Sequence, residues 1–194
     1  MLPIVTATAL LVLIVLPLAS AFVAAQPLKV QRGLDEVEYY SATPIDYLRS
    51  QKYSVLWRNR LLPPEPERAL FPGAAPLALG VIGLAGPPGA SQLAYAAGLV
   101  VSFDGSLGLH GLLYPYLYRW LPPVHEIRAP ARFGALVGLT LAILTGFGAR
   151  RMLRWRPSPR YQHAAFAALI AFVLVDAWPA LTLAPGWEAP PRFY

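Results

Sequence analysis

Residues 133–149, FGALVGLTLAILTGFGA, carry no charge and are followed at once by the arginine-rich residues 150–160, RRMLRWRPSPR. A helix that crosses a bilayer needs about 20 mainly apolar residues, because lipid offers its backbone no hydrogen-bond partner. The run is slightly short, yet Arg132 and Arg150 at its ends can extend their charged groups to the interface. We therefore predict that 133–149 forms a transmembrane helix.

Three other stretches share this apolar character. Residues 2–25 contain no charge, and residues 163–184 contain only one, that of Asp176. Residues 69–103 are also uncharged, and Pro87-Pro88-Gly89 divides them into either two short transmembrane helices or a re-entrant hairpin. The sequence thus predicts an all-α, polytopic membrane protein with about five transmembrane helices. Residues 2–25 have a competing interpretation as a cleaved signal peptide.

The composition agrees with a membrane protein. Of the 194 residues, 56% are hydrophobic and only 13% are charged, and the mean hydropathy is +0.47. Soluble domains carry about twice that share of charge. There is no cysteine, which excludes disulfides, thiolate metal sites, iron–sulfur clusters and a cysteine nucleophile.

The distribution of arginine predicts the orientation. Short loops rich in Lys and Arg stay in the cytoplasm, so we place the loop 150–162 inside. By alternation the N-terminus lies inside, whereas the loops 26–68 and 104–132 and the tail 185–194 lie outside. Of the 16 Lys and Arg residues, five lie in the inner loop, and the remaining 11 nearly balance the 10 acidic residues. The net charge of +6 is therefore a topology signal, and nucleic acid is not an expected partner.

The first outer loop combines a helix start with an acidic cluster. Thr43 is a good N-cap, Pro44 suits the first helical position, and Asp46 suits the first turn, so we interpret Asp46 as a capping residue. Three further acids precede it: they could hold a divalent cation or supply a general base, although a solvated charge run is the commoner case. These are Asp35, Glu36 and Glu38.

The second outer loop is predicted to begin with a glycine-rich turn, 104–108, and to continue with a short amphipathic helix within 112–121. Leucines recur there at every fourth position, with tyrosines beside them, which is typical of a helix lying in the membrane interface. Tyr116 and Trp120 would contribute to an aromatic belt. The leucines are Leu113, Leu117 and Leu121, and the tyrosines are Tyr114 and Tyr118.

Residues 125–134 place one acid, one histidine and two arginines at the outer mouth of a predicted span. Arg128 and Arg132 could grip a phosphate in bidentate fashion or simply extend to lipid headgroups. Asp176, inside the last predicted span, is a candidate functional residue because an ionised group at that depth is costly. It could also be a hydrated carboxylate or an ion-pair partner of either arginine.

Several stretches together resemble the C-terminal membrane portion of bacterial GT-C type glycosyltransferases, which use polyprenyl-phosphate-linked sugars. The run Arg128-Ala129-Pro130-Ala131-Arg132-Phe133-Gly134 is the most specific. The other matching stretches are 34–48, 66–73, 175–179 and 190–194. The resemblance implies a bacterial cytoplasmic membrane and sugar transfer on its outer face. GT-C enzymes have ten or more spans and a catalytic acid in their first outer loop, for which this chain has no counterpart, so we expect a fragment.

Three functions follow as hypotheses. In the first, Arg128 and Arg132 hold the phosphate of a polyprenyl-phosphate sugar, with Glu36 or Glu126 as a weak candidate for the general base. In the second, the chain is a non-catalytic membrane module that packs against other membrane helices, for which Gly134-x-x-x-Gly138 is a suitable pattern. A transporter component is the third. Beyond the divalent cation already considered, no cofactor and no metal site is predicted.

Overall fold

The computed structural model of the protein describes residues 33–154 and 159–180, together with five positions nearer the N-terminus. The chain divides into two units, Met1–Gly33 and Leu34–Tyr194, and the fold below is that of the second. The first predicted span, 2–25, lies outside the described residues except at those five positions, as do the predicted cleavage sites and the tail 185–194. The five are Leu13, Val15, Leu16, Pro17 and Ser20.

From residue 34 onward the described chain is helical. It contains six α-helices: α1 (Leu34–Tyr39), α2 (Ala74–Leu84), α3 (Ala90–Leu107), α4 (Tyr114–Trp120), α5 (Gly134–Arg154) and α6 (Pro159–Asp176). Short 3₁₀ helices at Pro44–Leu48, Gly108–His110, Pro122–Glu126 and Pro130–Phe133 connect them. Within the described ranges there is no strand, only two isolated β-bridges. The predicted all-α class is confirmed.

Helices α2 and α3 both pack against α5, which is the centre of the helical layer. The buried contacts come from Leu79 on α2 and from Val137, Leu141 and Leu144 on α5. Close approach depends on glycine. A Cβ atom at Gly83 or at Gly148 would overlap backbone atoms of the opposite helix, so α2 and α5 touch backbone to backbone, an approach that only a residue as small as glycine permits.

The predicted number of about five spans is not found in the described chain. Only Pro130–Arg154 is long and apolar enough to cross a bilayer, and α3 with α4 would count as a second span only as a pair bent by 71°. Helix α2 has 11 residues, about 16 Å, against a hydrocarbon core of about 30 Å. The turn after Leu84 ends it early, and residues 69–103 form two helices joined by a turn, an arrangement that both the two-helix and the re-entrant interpretation allow.

Three predicted boundaries are corrected. Residues 104–107 belong to α3 rather than to a turn, and the chain turns after Gly108 instead. Helix α5 continues through Arg150, Arg151 and Arg154, which therefore lie on a helix rather than in a loop. Helix α6 ends at Asp176, because the following backbone bonds to another segment: the Trp178 carbonyl accepts from Val55 N at 3.0 Å.

Candidate functional site

The connections 34–73, 108–133 and 177–180 fold together where α2 and α5 begin and α3 and α6 end; we call this region the cap. Backbone hydrogen bonds join its parts. Ala42 N donates to Ser106 O at 3.0 Å, and Ala131 N donates to Tyr40 O at 3.1 Å. Because these bonds link segments far apart in sequence, the predicted outer loops form an ordered structure rather than loose tethers.

Asp46 organises the first half of the cap. Its buried carboxylate accepts hydrogen bonds from Thr43 N (2.7 Å), Thr43 Oγ1 (2.9 Å) and Arg49 Nε (2.7 Å). Arg68 lies 3.9 Å from it. Burial opposes ionisation, but these bonds and the Arg68 charge outweigh it and lower the pKa of Asp46 below its usual 3.8. The predicted capping role of Asp46 is confirmed. In addition, its carboxylate interacts with both Arg49 and Arg68.

Arg128 is held by Glu36 of α1 and by Tyr40, which follows α1. Its Nε lies 2.8 Å from Glu36 Oε1, its Nη2 donates to Tyr40 Oη at 3.1 Å, and its guanidinium lies 4.9 Å from the centre of the Tyr40 ring. Glu36, one of the two candidate bases, is thus an ion-pair partner of Arg128 in this structure. The Arg128 side chain nevertheless remains 48% exposed.

Arg132 forms a bidentate ion pair with Glu67, through Nε at 2.9 Å and Nη2 at 2.8 Å. Glu67 adopts a left-handed backbone conformation, with φ of 64°, which is uncommon for a residue with a side chain. The hydrogen bond from Arg132, and more weakly the charge of Arg128, lower the pKa of Glu67. Both arginines therefore act on one carboxylate, and Arg132 is 69% exposed. We call Arg128, Arg132, Glu36, Glu67 and Tyr40 the cap arginine cluster.

Asp176 forms no ion pair with either arginine, and its side chain is buried, with 4% exposure. It accepts hydrogen bonds from Trp57 Nε1 (2.9 Å), Ala74 N (3.3 Å) and Ala75 N (3.1 Å). The last two donors are unpaired amides of the first turn of α2, where a negative charge is also favoured by the helix dipole. Asp176 therefore caps α2 from the end of α6.

A cavity of about 120 Å³ adjoins Asp176, lined also by Ser50, Tyr53, Trp57 and Phe71. The Ser50 hydroxyl is buried and has no hydrogen-bond partner among the described residues. Such a cavity has room for a few water molecules, which bridge buried polar groups of this kind.

The remaining candidate acids do not converge on one point. Glu126 lies partly exposed at the end of the 3₁₀ helix Pro122–Glu126, and Asp35 and Glu38 are exposed on α1. Among the described residues no group of three or more Asp, Glu or His side chains could hold a metal ion. Asp104 receives the amides of Leu112 (2.6 Å) and Leu113 (2.9 Å) and so holds the start of α4.

The predicted interfacial helix is confirmed as a helix, shortened to α4. The prediction placed Tyr114 at the membrane interface beside the leucines, but its side chain is only 1% exposed and lies inside the cap. The exposed side is strongly apolar, with Leu112 80% and Trp120 74% exposed. Leu113, Tyr116, Leu117 and Leu121 share it.

Sequence reasoning missed Trp57, Glu67 and Ser50. Nothing local in the sequence distinguishes them: Trp57 and Glu67 are each defined by a side-chain partner far away in the chain, and Ser50 by the cavity that it lines. The indole nitrogen of Trp57 was the one available signal, because a buried indole needs an acceptor. Compared with known proteins, the chain matches no family model, no curated protein and no solved structure.

Proposed function

We propose that this chain is a helical module of the bacterial cytoplasmic membrane that packs against other membrane helices in a larger assembly, with the cap on the outer side. The observation that carries the proposal is a side of α5 that no described segment of the chain covers. One side of this helix packs on α2 and α3, whereas the other exposes Leu136 (44%) and Leu139 (57%). A Cβ atom at Gly138 or Gly146 on that side would meet nothing within 4 Å.

Small residues beside leucine form the kind of surface on which a second membrane helix can approach closely. Of the predicted pair Gly134 and Gly138, only Gly138 can contact a second helix, because Gly134 already faces Leu70 of the same chain. The pair that points away from the chain is Gly138 and Gly146, two helical turns apart. We expect another membrane helix along this line.

The charges support the proposed orientation. Helix α5 has 21 residues, about 30 Å, with the cap arginine cluster near its start and Arg150, Arg151 and Arg154 at its end. Short basic segments stay in the cytoplasm, so we place the latter three there and the cap outside. The N-terminus is then inside and the C-terminus outside.

The bonding of the carboxylates favours a module over a transferase. Asp46, Asp104 and Asp176 each accept at least two hydrogen bonds from backbone amides or neighbouring side chains within the chain. Glu36 and Glu67 hold arginines. These carboxylates are thus engaged in stabilising the fold.

The test uses the full chain extracted from its native membrane in mild detergent. We expect the wild type to migrate as a complex well above its own 21.1 kDa. Gly138→Leu/Gly146→Leu should release the free chain by filling the exposed side of α5. Val100→Leu/Val101→Leu, on an exposed part of α3, should leave the complex intact. A wild type that migrates as a monomer, or a complex unaffected by the glycine changes, would contradict the module.

A polyprenyl-phosphate sugar remains a second candidate ligand, favoured by the exposure of both guanidinium groups in the cap arginine cluster. A phosphate could take the place of Glu36 and Glu67, since both are partly exposed carboxylates whose ion pairs solvent weakens. Freeing the arginines should then improve binding. We expect Glu36→Gln and Glu67→Gln to bind a polyprenyl-phosphate analogue more tightly in detergent, and Arg128→Ala and Arg132→Ala to lose it. Unchanged affinity in both arginine variants would rule out the phosphate role.

A further inference from the structure

A second cavity lies at the opposite end of α5 from the cap. Its volume is about 400 Å³, and it opens between the end of α5 and the turn that joins α2 to α3. Arg150, Arg151 and Arg154 line it together with Gln92 and Phe147. No acidic side chain contributes to its described lining, whereas Arg128 and Arg132 of the cap arginine cluster each have a carboxylate partner. This second cavity is therefore a positively charged pocket that would favour a negatively charged ligand. We call it the basic pocket.

The pocket is built by specific contacts. Arg151 donates to Ala85 O just beyond the end of α2. Gly86, with φ of 86°, leaves room for the guanidinium, since a Cβ atom there would overlap it. Gln92 steadies the turn by donating to Gly83 O at 2.7 Å and accepting from Gly89 N at 2.8 Å. One arginine is thus anchored to the backbone while its neighbours stay free to approach a ligand.

Basic residues in the last turn of a helix also interact favourably with its dipole. The helix dipole explains why these residues are positively charged. It does not explain why they line a cavity, or why Arg151 is hydrogen-bonded to the backbone just beyond the end of α2. Arg150 and Arg154 are exposed and lie four residues apart, on one side of the helix. Phe147, one turn earlier, gives the pocket an apolar wall. Two planar guanidinium groups beside an apolar wall match a phosphate that carries a hydrocarbon chain.

We propose that this pocket binds a phosphate group, taken either from an anionic phospholipid headgroup or from a soluble phosphate. The site is distinct from the cap arginine cluster and does not depend on the proposed packing of α5. In the proposed orientation it faces the inner leaflet, where anionic lipids are held by basic pockets between helices.

The experiment is native mass spectrometry of the full chain in detergent, supplied in separate arms with phosphatidylcholine, phosphatidylglycerol or inorganic phosphate. We expect adducts with phosphatidylglycerol or with phosphate, and few with phosphatidylcholine. Arg150→Gln/Arg154→Gln should lower the apparent affinity about tenfold or more. Because this variant keeps the bond between Arg151 and Ala85, it should still fold, which its helical circular dichroism will show.

The matched control removes two exposed arginines elsewhere, as Arg58→Gln/Arg60→Gln, and should bind like the wild type. Adducts with phosphatidylglycerol alone assign the ligand to lipid, and adducts with inorganic phosphate as well assign the site to the phosphate group itself. Equal adducts with phosphatidylcholine and phosphatidylglycerol and none with phosphate would overturn the proposal. Equal loss in the control variant would also overturn it, because binding would then follow net charge rather than this pocket.

Discussion

The carboxylate of Asp176 accepts a 2.9 Å hydrogen bond from the indole nitrogen of Trp57, 119 residues earlier in the chain. The same carboxylate receives the first amides of α2. One side chain therefore joins the end of α6, the start of α2 and the first half of the cap. A group placed in this way is costly to leave without its partners, because its burial removes it from water.

We expect Asp176→Asn to destabilise the chain by about 2 kcal/mol, since it removes the charge that the α2 amides and the indole share. Trp57→Phe should cost about 1 kcal/mol through the lost hydrogen bond. The double variant should cost less than the sum, because the two changes remove one shared interaction. Thermal unfolding in detergent, followed by circular dichroism, measures all three.

The control is Glu38→Gln, which alters an exposed carboxylate of α1 and should change stability by less than about 0.5 kcal/mol. Strictly additive effects of the two variants would show that Asp176 and Trp57 stabilise the fold independently. An effect of Asp176→Asn as small as that of the control would contradict the capping of α2.

Four glycines should respond to alanine with opposite signs. Gly83→Ala and Gly148→Ala push a methyl group into the backbone of the opposite helix and should destabilise by about 2 kcal/mol or more. Gly138→Ala and Gly146→Ala meet nothing within 4 Å and should stabilise α5 by up to about 1 kcal/mol in the isolated chain, because alanine is the better helix former. The unfolding midpoint in detergent separates the two pairs, and a common sign would contradict the close contact of α2 with α5.

Local composition was sufficient to predict the helices from 69 onward, because apolar runs without charge have few other stable structures in this composition. The ends of the helices could not be predicted, since distant residues determine them. Gly105 reads as a turn residue, yet it is helical with the Phe133 ring lying against it. Arg128 and Arg132 were recognised as candidate site residues from the residues next to them in the sequence. Glu67 could not be found in this way. Its partner Arg132 lies 65 residues away, and its unusual backbone conformation leaves no signal in the neighbouring sequence.

Buried Tyr114 and half-buried Tyr47 should also respond to phenylalanine with opposite signs. The Tyr114 hydroxyl is buried without a hydrogen-bond partner among the described residues, and burial raises its pKa to about 12. Tyr47 donates to or accepts from Ser106 Oγ at 2.7 Å. We expect Tyr114→Phe to be neutral or stabilising by up to about 1 kcal/mol, and Tyr47→Phe to destabilise by about 1 kcal/mol. Chemical denaturation in detergent measures both, and a larger loss in Tyr114→Phe would reveal a partner for its hydroxyl.

The stability that Asp46 contributes should depend on pH. Because the folded state lowers the pKa of Asp46 below 3.8, the folded protein binds fewer protons there than the unfolded chain does. The contribution of Asp46 to stability is therefore complete above about pH 4 and is lost as the pH falls through the folded pKa. Asp46→Asn should flatten this acid limb of the stability curve.

Glu67→Gln provides the comparison, because the pKa of Glu67 is also lowered but its side chain is 34% exposed against 1% for Asp46. Solvent weakens an exposed ion pair, so Glu67→Gln should flatten the curve less. Denaturation midpoints between pH 5 and pH 2.5, in a non-ionic detergent, measure the slope for each variant. If Glu67→Gln reduces the pH dependence of the denaturation midpoint more than Asp46→Asn does, the hydrogen bonds of buried Asp46 are not the main source of the stability that the chain loses in acid.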